Sequence, residues 1–201
     1  MRREEVIRLL GKQKRNFWEL LSRWEYRLED FVTTLNAMHA AGEVIVEDNC
    51  LQLSPALQAT APQTLEEGKC PACAGRGMVG TNSQLLQEFQ RLLQERPLTT
   101  AKYFQGNMDA ESVVARVHLM DMRDGLAGKR ITLVGDDDYL SLALALTRLP
   151  ARIVVLEVDE RIGEFLCRCR QQYDLPIEYI PYNVTDPLPP ELREQSDLFS
   201  T

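Results

Sequence analysis

Long apolar runs are the first thing that the 201-residue sequence lacks. No stretch approaches the ~20 apolar residues that a membrane-spanning helix needs. The N-terminus has no apolar core followed by small residues, which argues against a signal peptide. The five cysteines are an odd number, which argues against a disulfide scaffold and for reduced thiols. We therefore expect a cytoplasmic protein without a membrane segment.

A surplus of basic residues is also lacking, since the net charge is −7. The acidic excess is confined to residues 131–201, which carry 13 acidic and 6 basic side chains. An acidic surface disfavours nucleic acid, whose phosphates attract lysine and arginine, and it favours cationic ligands. The alternative explanation is an acidic face that is merely solvated.

Residues 1–55 show the pattern of a winged-helix module. Apolar residues recur at helical spacing in 3–10 and 16–41, with a third helix starting near Tyr26. Two short β-type runs around a Glu-Asp-Asn turn then predict a hairpin. The third helix carries Glu29 and Asp30, which do not suit a DNA-reading surface. We therefore favour a packing or dimerisation module over DNA binding.

Residues 56–80 have the composition of a linker that contains one Cys-x-x-Cys turn. Cys70 and Cys73 have the spacing of a zinc half-site, and the glycines beside them allow a tight turn. A structural zinc needs about four ligands, so a second copy of the chain would have to supply the others. The alternative is a glycine-rich turn that binds no metal.

Residues 81–201 alternate between helix and strand patterns, which predicts an α/β domain with a parallel sheet. Two amphipathic helices are followed by four short apolar strands with helices between them. The expected helices are 82–96, 109–123, 140–149 and 161–173, and the expected strands are 130–134, 153–158, 177–180 and one beginning at 196.

Acidic residues follow the first two of these strands, where ligands of parallel sheets bind. The first strand leads into Gly135, Asp136, Asp137 and Asp138, and the second ends at Glu157. Glu157 is placed to accept hydrogen bonds from ribose hydroxyls. Three carboxylates would repel a pyrophosphate, which makes NAD and FAD poor candidates. An adenosine with a positive tail, or a polyamine, fits better; alternatively, Asp136 caps the next helix and its neighbours are solvated.

The sequence VGDDDYLSLALALTRLPARIVVLEVDERI, residues 134–162, closely resembles the signature of the N4-bis(aminopropyl)spermidine synthases, the branched-chain polyamine synthases. Further similar pieces are the winged-helix start, CPACAGRG, Tyr103-x-Gln105, the helix with Arg116, and Pro187-Leu188-Pro189. The resemblance implies transfer of aminopropyl groups from decarboxylated S-adenosylmethionine to the secondary amine of spermidine. No other cofactor is implied, and methylthioadenosine leaves at each transfer.

The resemblance also implies roles for particular residues. Asp137 or Asp138 would be the base that deprotonates the amine. Two residues would contact the polyamine, and six would contact the nucleoside. The polyamine set is Tyr103 and Asp138, and the nucleoside set is Gly135, Asp136, Glu157, Asp159, Gln105 and Asn183.

In the family that this sequence resembles, the chains continue beyond a stretch similar to SDLFST, into an Asp-Pro-Pro motif. It implies that residues 81–201 form the first half of a doubly wound, Rossmann-like S-adenosylmethionine-dependent transferase domain. We expect such a chain to transfer slowly by itself and to form homodimers or other self-associated species, because its fourth strand leaves an open sheet edge. The alternative hypothesis is a winged-helix regulator, or a binding module that senses a ligand.

Overall fold

The computed structural model of the chain describes residues 2–62, 83–103, 105–106 and 108–201, without the side chains of 83 and 191. The chain divides into two compact units, Met1–Thr64 and Leu65–Thr201. Across the described residues, no helix combines the length and the apolar character that a membrane crossing requires. Cys70 and Cys73, the candidate zinc half-site, lie outside the described residues.

The first unit packs helices against a three-stranded antiparallel sheet with the strand order β1-β3-β2. Its elements are α1 (Arg3–Leu10), β1 (Arg15–Asn16), α2 (Phe17–Leu21), α3 (Leu28–Ala40), β2 (Val44–Glu47), β3 (Cys50–Leu53) and α4 (Pro55–Thr60). Asn16 and Glu19 form a capping box that starts α2. Asp48 and Asn49 adopt positive φ values of 51° and 59°, which close the predicted hairpin. The core includes Leu10, Leu20, Phe31, Met38 and Leu53.

Three details of this unit differ from the sequence prediction. The third helix begins at Leu28 rather than near Tyr26. The two-residue strand β1 was not expected, because it has no apolar pattern. Residues 55–60, most of which we assigned to the linker, form α4, because Pro55 suits a first helical turn and Leu57 packs on the core.

The second unit contains a four-stranded parallel sheet, as the alternating pattern predicts, with the strand order β6-β5-β4-β7. The strands are β4 (Arg130–Val134), β5 (Arg152–Glu157), β6 (Ile177–Pro181) and β7 (Leu198–Ser200). The helices are α5 (Ser83–Leu93), α6 (Ala110–Asp124), α7 (Leu140–Leu146) and α8 (Glu160–Tyr173). The chain is therefore an α/β protein with a parallel sheet, and its fourth strand lies beside its first.

Alternate residues of the strands divide between two faces of this sheet. One face carries Ile131, Leu133, Ile153 and Val155, which share a core with residues from all four helices of the unit. The other face carries Val154 and Leu156, which pack with Leu192 from a 3-10 turn at Pro190–Leu192. The carboxyl ends of β4, β5 and β6 meet at one edge of the sheet, and the acidic residues follow two of them.

Candidate active site

The turn after β4 places three aspartates at the edge of the sheet. Gly135 has a φ of +77°, which a side chain would strain, and its N–H donates to the carbonyl of Leu156 at 2.8 Å. Tyr139 ends the turn at a φ of 58°. Its buried ring meets Phe165 edge-on, with centroids 5.4 Å apart. Packing of this ring holds a left-handed residue in place, so the turn is fixed by the core beneath it.

Asp136 is the buried member of the three aspartates. Its carboxylate accepts from the backbone N–H of Ser141 at 3.0 Å and from the Ser141 hydroxyl. Asp136 thus accepts from one N–H in the first turn of α7, as the alternative interpretation implied in part, although the N-cap position itself is Tyr139. Burial raises the pKa of this carboxyl to about 7, and the nearby charges of Glu157 and Asp137 act in the same direction.

We expect Asp136 to make the stability of this unit fall as the pH rises. The folded pKa of about 7 exceeds the ordinary value of 3.8, so the folded state binds the proton more tightly. The stabilisation is complete below pH 4 and is lost as the pH rises through 7, by about 4 kcal/mol at most. Asp136→Asn should abolish most of this decline in denaturant titrations between pH 4 and 8. Exposed Asp124→Asn is the control, and an unchanged pH dependence in Asp136→Asn would contradict the prediction.

Glu157 joins the ends of β4 and β5 through its carboxylate. It is 5% exposed. One oxygen accepts from the N–H of Asp136 at 2.9 Å, and the other accepts from the N–H of Asp159 at 2.8 Å. Each carboxylate oxygen has a further lone pair, which a ribose hydroxyl could use. The acid that the sequence assigned to ribose is thus fixed at the predicted edge.

Asp159 caps α8 and is enclosed by hydrogen-bond donors. Arg161 binds both of its oxygens, at 3.0 Å through Nε and 2.6 Å through Nη2, and the Gln105 amide donates at 2.8 Å. The Arg161 guanidinium is the main cause that lowers the pKa of Asp159 to about 2. Asp159 therefore stabilises the fold above pH 4, and this contribution is lost as the pH falls towards 2. Arg161 was not expected from the sequence.

Asp137 and Asp138 are half-buried and face the segment that precedes α6. Asp137 accepts from the backbone N–H of Gly106 at 3.1 Å, and Asp138 accepts from that of Met108 at 2.6 Å. Both contacts involve backbone amides, so no residue type in the sequence could have predicted them. The structure thereby brings the Gly-Asp-Asp-Asp turn, Glu157, Asp159 and Gln105 together.

A cavity of about 420 Å³ lies beside this cluster. Tyr103, Lys102 and Val158 line it together with Arg161. Lys102 Nζ lies 4.6 Å from the centre of the Tyr103 ring. Tyr103 therefore lies next to the residues that follow β5, while Asp137 and Asp138 hold the chain a few residues further on. A cavity of this volume is in the range of small-molecule sites.

Asn183 follows β6 and is exposed, in contrast to the other predicted nucleoside contacts. Its side-chain oxygen accepts from the N–H and hydroxyl of Thr185, at 3.1 and 2.9 Å. This turn follows β6 at the same end of the sheet as the acidic residues. The contact of Asn183 with a nucleoside stays a prediction. Among the described side chains, no group of three or more His, Cys, Asp or Glu is arranged to hold a metal ion.

A parallel sheet with fixed carboxylates beyond two neighbouring strands is the arrangement of an α/β domain of the class whose ligand sites lie at the carboxyl edge of the sheet. The family model described as "Branched-chain polyamine synthase A C-terminal domain" matches residues 84–201. The chain therefore belongs to the branched-chain polyamine synthase family, as the sequence resemblance implied.

Curated relatives agree with this assignment. The N(4)-bis(aminopropyl)spermidine synthase of Thermus thermophilus is 36% identical over 189 residues, which are 92% of this chain and 54% of that protein. That of Thermococcus kodakarensis is 30% identical over 190 residues, again 92% and 54%. The chain spans about half the length of these curated relatives.

A solved structure also matches. The branched-chain polyamine synthase from Thermus thermophilus, in complex with N4-aminopropylspermidine and 5'-methylthioadenosine, gives a TM-score of 0.61 at 34% identity. The match covers 98% of this chain and 58% of that one. The ligands of that complex are a polyamine and a nucleoside, which are the two ligand classes expected from the acidic strand ends.

Proposed function

We propose that the chain takes part in the transfer of aminopropyl groups from decarboxylated S-adenosylmethionine to the secondary amine of spermidine. The observation that carries the proposal is the set of carboxylates at the ends of β4 and β5. Glu157 accepts from the N–H of Asp136 and keeps lone pairs that ribose hydroxyls would use. Asp137 and Asp138, which follow the neighbouring strand, would attract the cationic part of the nucleoside. Family membership supports the same reaction.

The proposed step is a displacement at the carbon beside the sulfonium. The spermidine nitrogen is mostly protonated near pH 7, and Asp137 or Asp138 removes that proton. The nitrogen lone pair forms the new C–N bond, while the C–S bond breaks and its electron pair stays with methylthioadenosine. A second transfer to the same nitrogen gives a quaternary, branched product. The step as written needs no metal ion, oxidant or reductant.

Mass spectrometry of a mixture of the chain, spermidine and decarboxylated S-adenosylmethionine tests the proposal. Products heavier by one and two aminopropyl groups are expected, together with methylthioadenosine. The control replaces spermidine with putrescine, which has no secondary amine. If neither branched product nor methylthioadenosine forms above the enzyme-free rate, the chain alone does not carry out the reaction.

We predict that the acidic turn selects the donor by charge. Decarboxylated S-adenosylmethionine lacks the carboxylate of S-adenosylmethionine, which Asp137 and Asp138 would repel. Calorimetry should therefore show at least about tenfold tighter binding of the decarboxylated form. Asp137→Asn combined with Asp138→Asn should erode that preference. Equal affinities of the unmodified chain for both nucleosides would refute this prediction.

We also propose that the first unit is a winged-helix module used for packing rather than for DNA. Its element order supports this interpretation, since three helices and the short strand β1 precede the hairpin of β2 and β3, and the short helix α4 follows it. Glu29 and Asp30 lie in the first turn of α3, where they oppose binding to phosphates. A cytoplasmic location with reduced thiols remains a prediction, and Cys70 and Cys73 remain only candidate zinc ligands.

We predict self-association through β7, which pairs only with β4 among the described strands. Phe199 on this strand is 64% exposed. An edge strand with an exposed apolar side chain favours pairing with another chain. Phe199→Lys should therefore shift the size-exclusion profile towards monomer, whereas Val184→Lys, at an exposed loop position, should not. A monomeric unmodified chain at micromolar concentration would show that the edge is inert.

A further inference from the structure

Arg161 has three contacts that connect the start of α8 to the segment before α6. Its Nε and Nη2 atoms hold the two oxygens of Asp159, at 3.0 and 2.6 Å. Its Nη1 atom donates to the carbonyl of Leu98 at 3.2 Å. The Asp159 side chain is 3% exposed, whereas that of Arg161 is 47% exposed. A planar guanidinium in this arrangement fixes both the position and the rotation of the carboxylate.

Asp159 passes this orientation on to Gln105. The Asp159 oxygen that binds Arg161 Nη2 also accepts from the Gln105 amide nitrogen at 2.8 Å. The amide oxygen of Gln105 in turn accepts from the backbone N–H of Thr100 at 2.9 Å. Both ends of the amide are thereby assigned, because the nitrogen must face the carboxylate and the oxygen must face the N–H. This closes the turn between Thr100 and Gln105.

The turn carries Tyr103 and is tied to Arg161 on both sides. Leu98 precedes it and contacts Arg161 directly, and Gln105 follows Tyr103 and contacts Arg161 through Asp159. Tyr103 and Arg161 line the same cavity, beside Val158. Arg161 is therefore connected to residues on both sides of the turn, and the turn lies beside Val158, the residue that follows β5.

We propose that Arg161 is a positioning residue, which holds Asp159 and Gln105 so that the turn with Tyr103 forms one wall of the ligand cavity beside the end of β5. This inference rests on the proposed function for the nature of the ligand. It assigns a role to a residue that need not touch the substrate. Loss of Arg161 would free the carbonyl of Leu98 and loosen the carboxylate that Gln105 contacts. It would also leave the Asp159 charge buried without its cationic partner.

Amide hydrogen exchange of the free chain tests the positioning itself. The N–H of Thr100 is expected to exchange at least about tenfold faster in Arg161→Met. Its acceptor is the amide oxygen of Gln105, which is held less firmly once Arg161 no longer fixes Asp159. The N–H of Ser112, which donates to Asp109, is the internal reference and should be unchanged. Arg168→Met removes an exposed charge from the same helix and is the matched control. Unchanged protection of Thr100 in Arg161→Met would overturn the inference.

Binding of methylthioadenosine, followed by calorimetry across pH 4 to 8, tests the consequence for the site. Arg161→Met should bind about tenfold more weakly than the unmodified chain, the effect of one charge-assisted hydrogen-bond arrangement. It should also gain a pH dependence towards the acidic end of this range, because the variant lacks the largest cause that lowers the pKa of Asp159, while burial still raises that pKa. Arg161→Lys should recover part of the affinity, because it keeps the charge but not the two-point contact.

The outcomes separate the inference from the proposed function. If the unmodified chain binds methylthioadenosine and Arg161→Met binds it equally well at every pH, Arg161 is not a positioning residue. If Arg168→Met loses as much affinity as Arg161→Met, the effect is one of charge alone and the inference is again wrong. If the unmodified chain does not bind the nucleoside, the proposed function fails for this chain, and the exchange of Thr100 still decides the role of Arg161.

Discussion

Replacing Asp137 and Asp138 together by asparagine is expected to slow the proposed aminopropyl transfer by about 100- to 10,000-fold, the range that a lost general base produces. Asparagine has nearly the same shape and still offers an oxygen to the N–H groups of Gly106 and Met108. The segment before α6 should therefore stay in place while the base is absent. The initial rate of methylthioadenosine release measures the effect, and the single variants show which aspartate has the larger share.

The control for this experiment removes two charges elsewhere in the same unit. Asp124→Asn and Glu164→Gln are both at exposed positions outside the acidic turn. This pair should transfer at the unmodified rate, because it changes the net charge by the same amount without touching the carboxyl edge. A double Asn variant within threefold of the unmodified rate would exclude both aspartates as the base.

A methyl group at Gly163 is expected to destabilise the second unit by about 3 kcal/mol, as overpacking of a tight contact does. A Cβ atom there would lie 2.2 Å from Cε1 and Cζ of the Tyr179 ring on β6. Alanine favours a helix over glycine by about 1 kcal/mol, which is too little to offset such a clash. Chemical denaturation of Gly163→Ala measures the loss in free energy of unfolding.

Tyr179→Leu should restore much of that loss in the Gly163→Ala background, since it removes the ring from the contact. Glu164→Ala, at the next and exposed position of α8, is the control and should change stability by less than about 0.5 kcal/mol. If Gly163→Ala proves as stable as the unmodified chain, then α8 does not lie as close to β6 as the structure has it.

The sheet of the second unit could be predicted from the sequence because its strands are short apolar runs that end in turns. Leu133 and Val155, for example, lie in runs too short for helices, and the acidic residues mark where two of the strands end. The strand β1 could not be predicted in this way. It consists of Arg15 and Asn16, whose pairing with β3 is a tertiary contact without a local signal.

The positions of the acidic residues could be predicted because each lies at the end of a strand or in the turn that follows it. Glu157 and the three aspartates lie at the carboxyl edge of the sheet, while their roles toward a ligand stay predictions. The role of Arg161 could not be predicted, because it depends on a partner two residues earlier and on Gln105, 54 residues from Asp159 in sequence. The raised pKa of Asp136 also could not be predicted from the sequence. Its cause is burial, which distinguishes Asp136 from its half-buried neighbours Asp137 and Asp138.

The bridge that Glu157 makes between two strand ends has a consequence for ligand encounter. Its carboxylate is already oriented by the amides of Asp136 and Asp159, so a ribose would meet a rigid acceptor. The conformational entropy of the Glu157 side chain is lost when the chain folds, so its ordering does not reduce the affinity for a ribose. An aspartate at this position would fall about 1.5 Å short of one amide. The two amide contacts therefore require a glutamate at position 157 and not the shorter aspartate, although both carry the same charge.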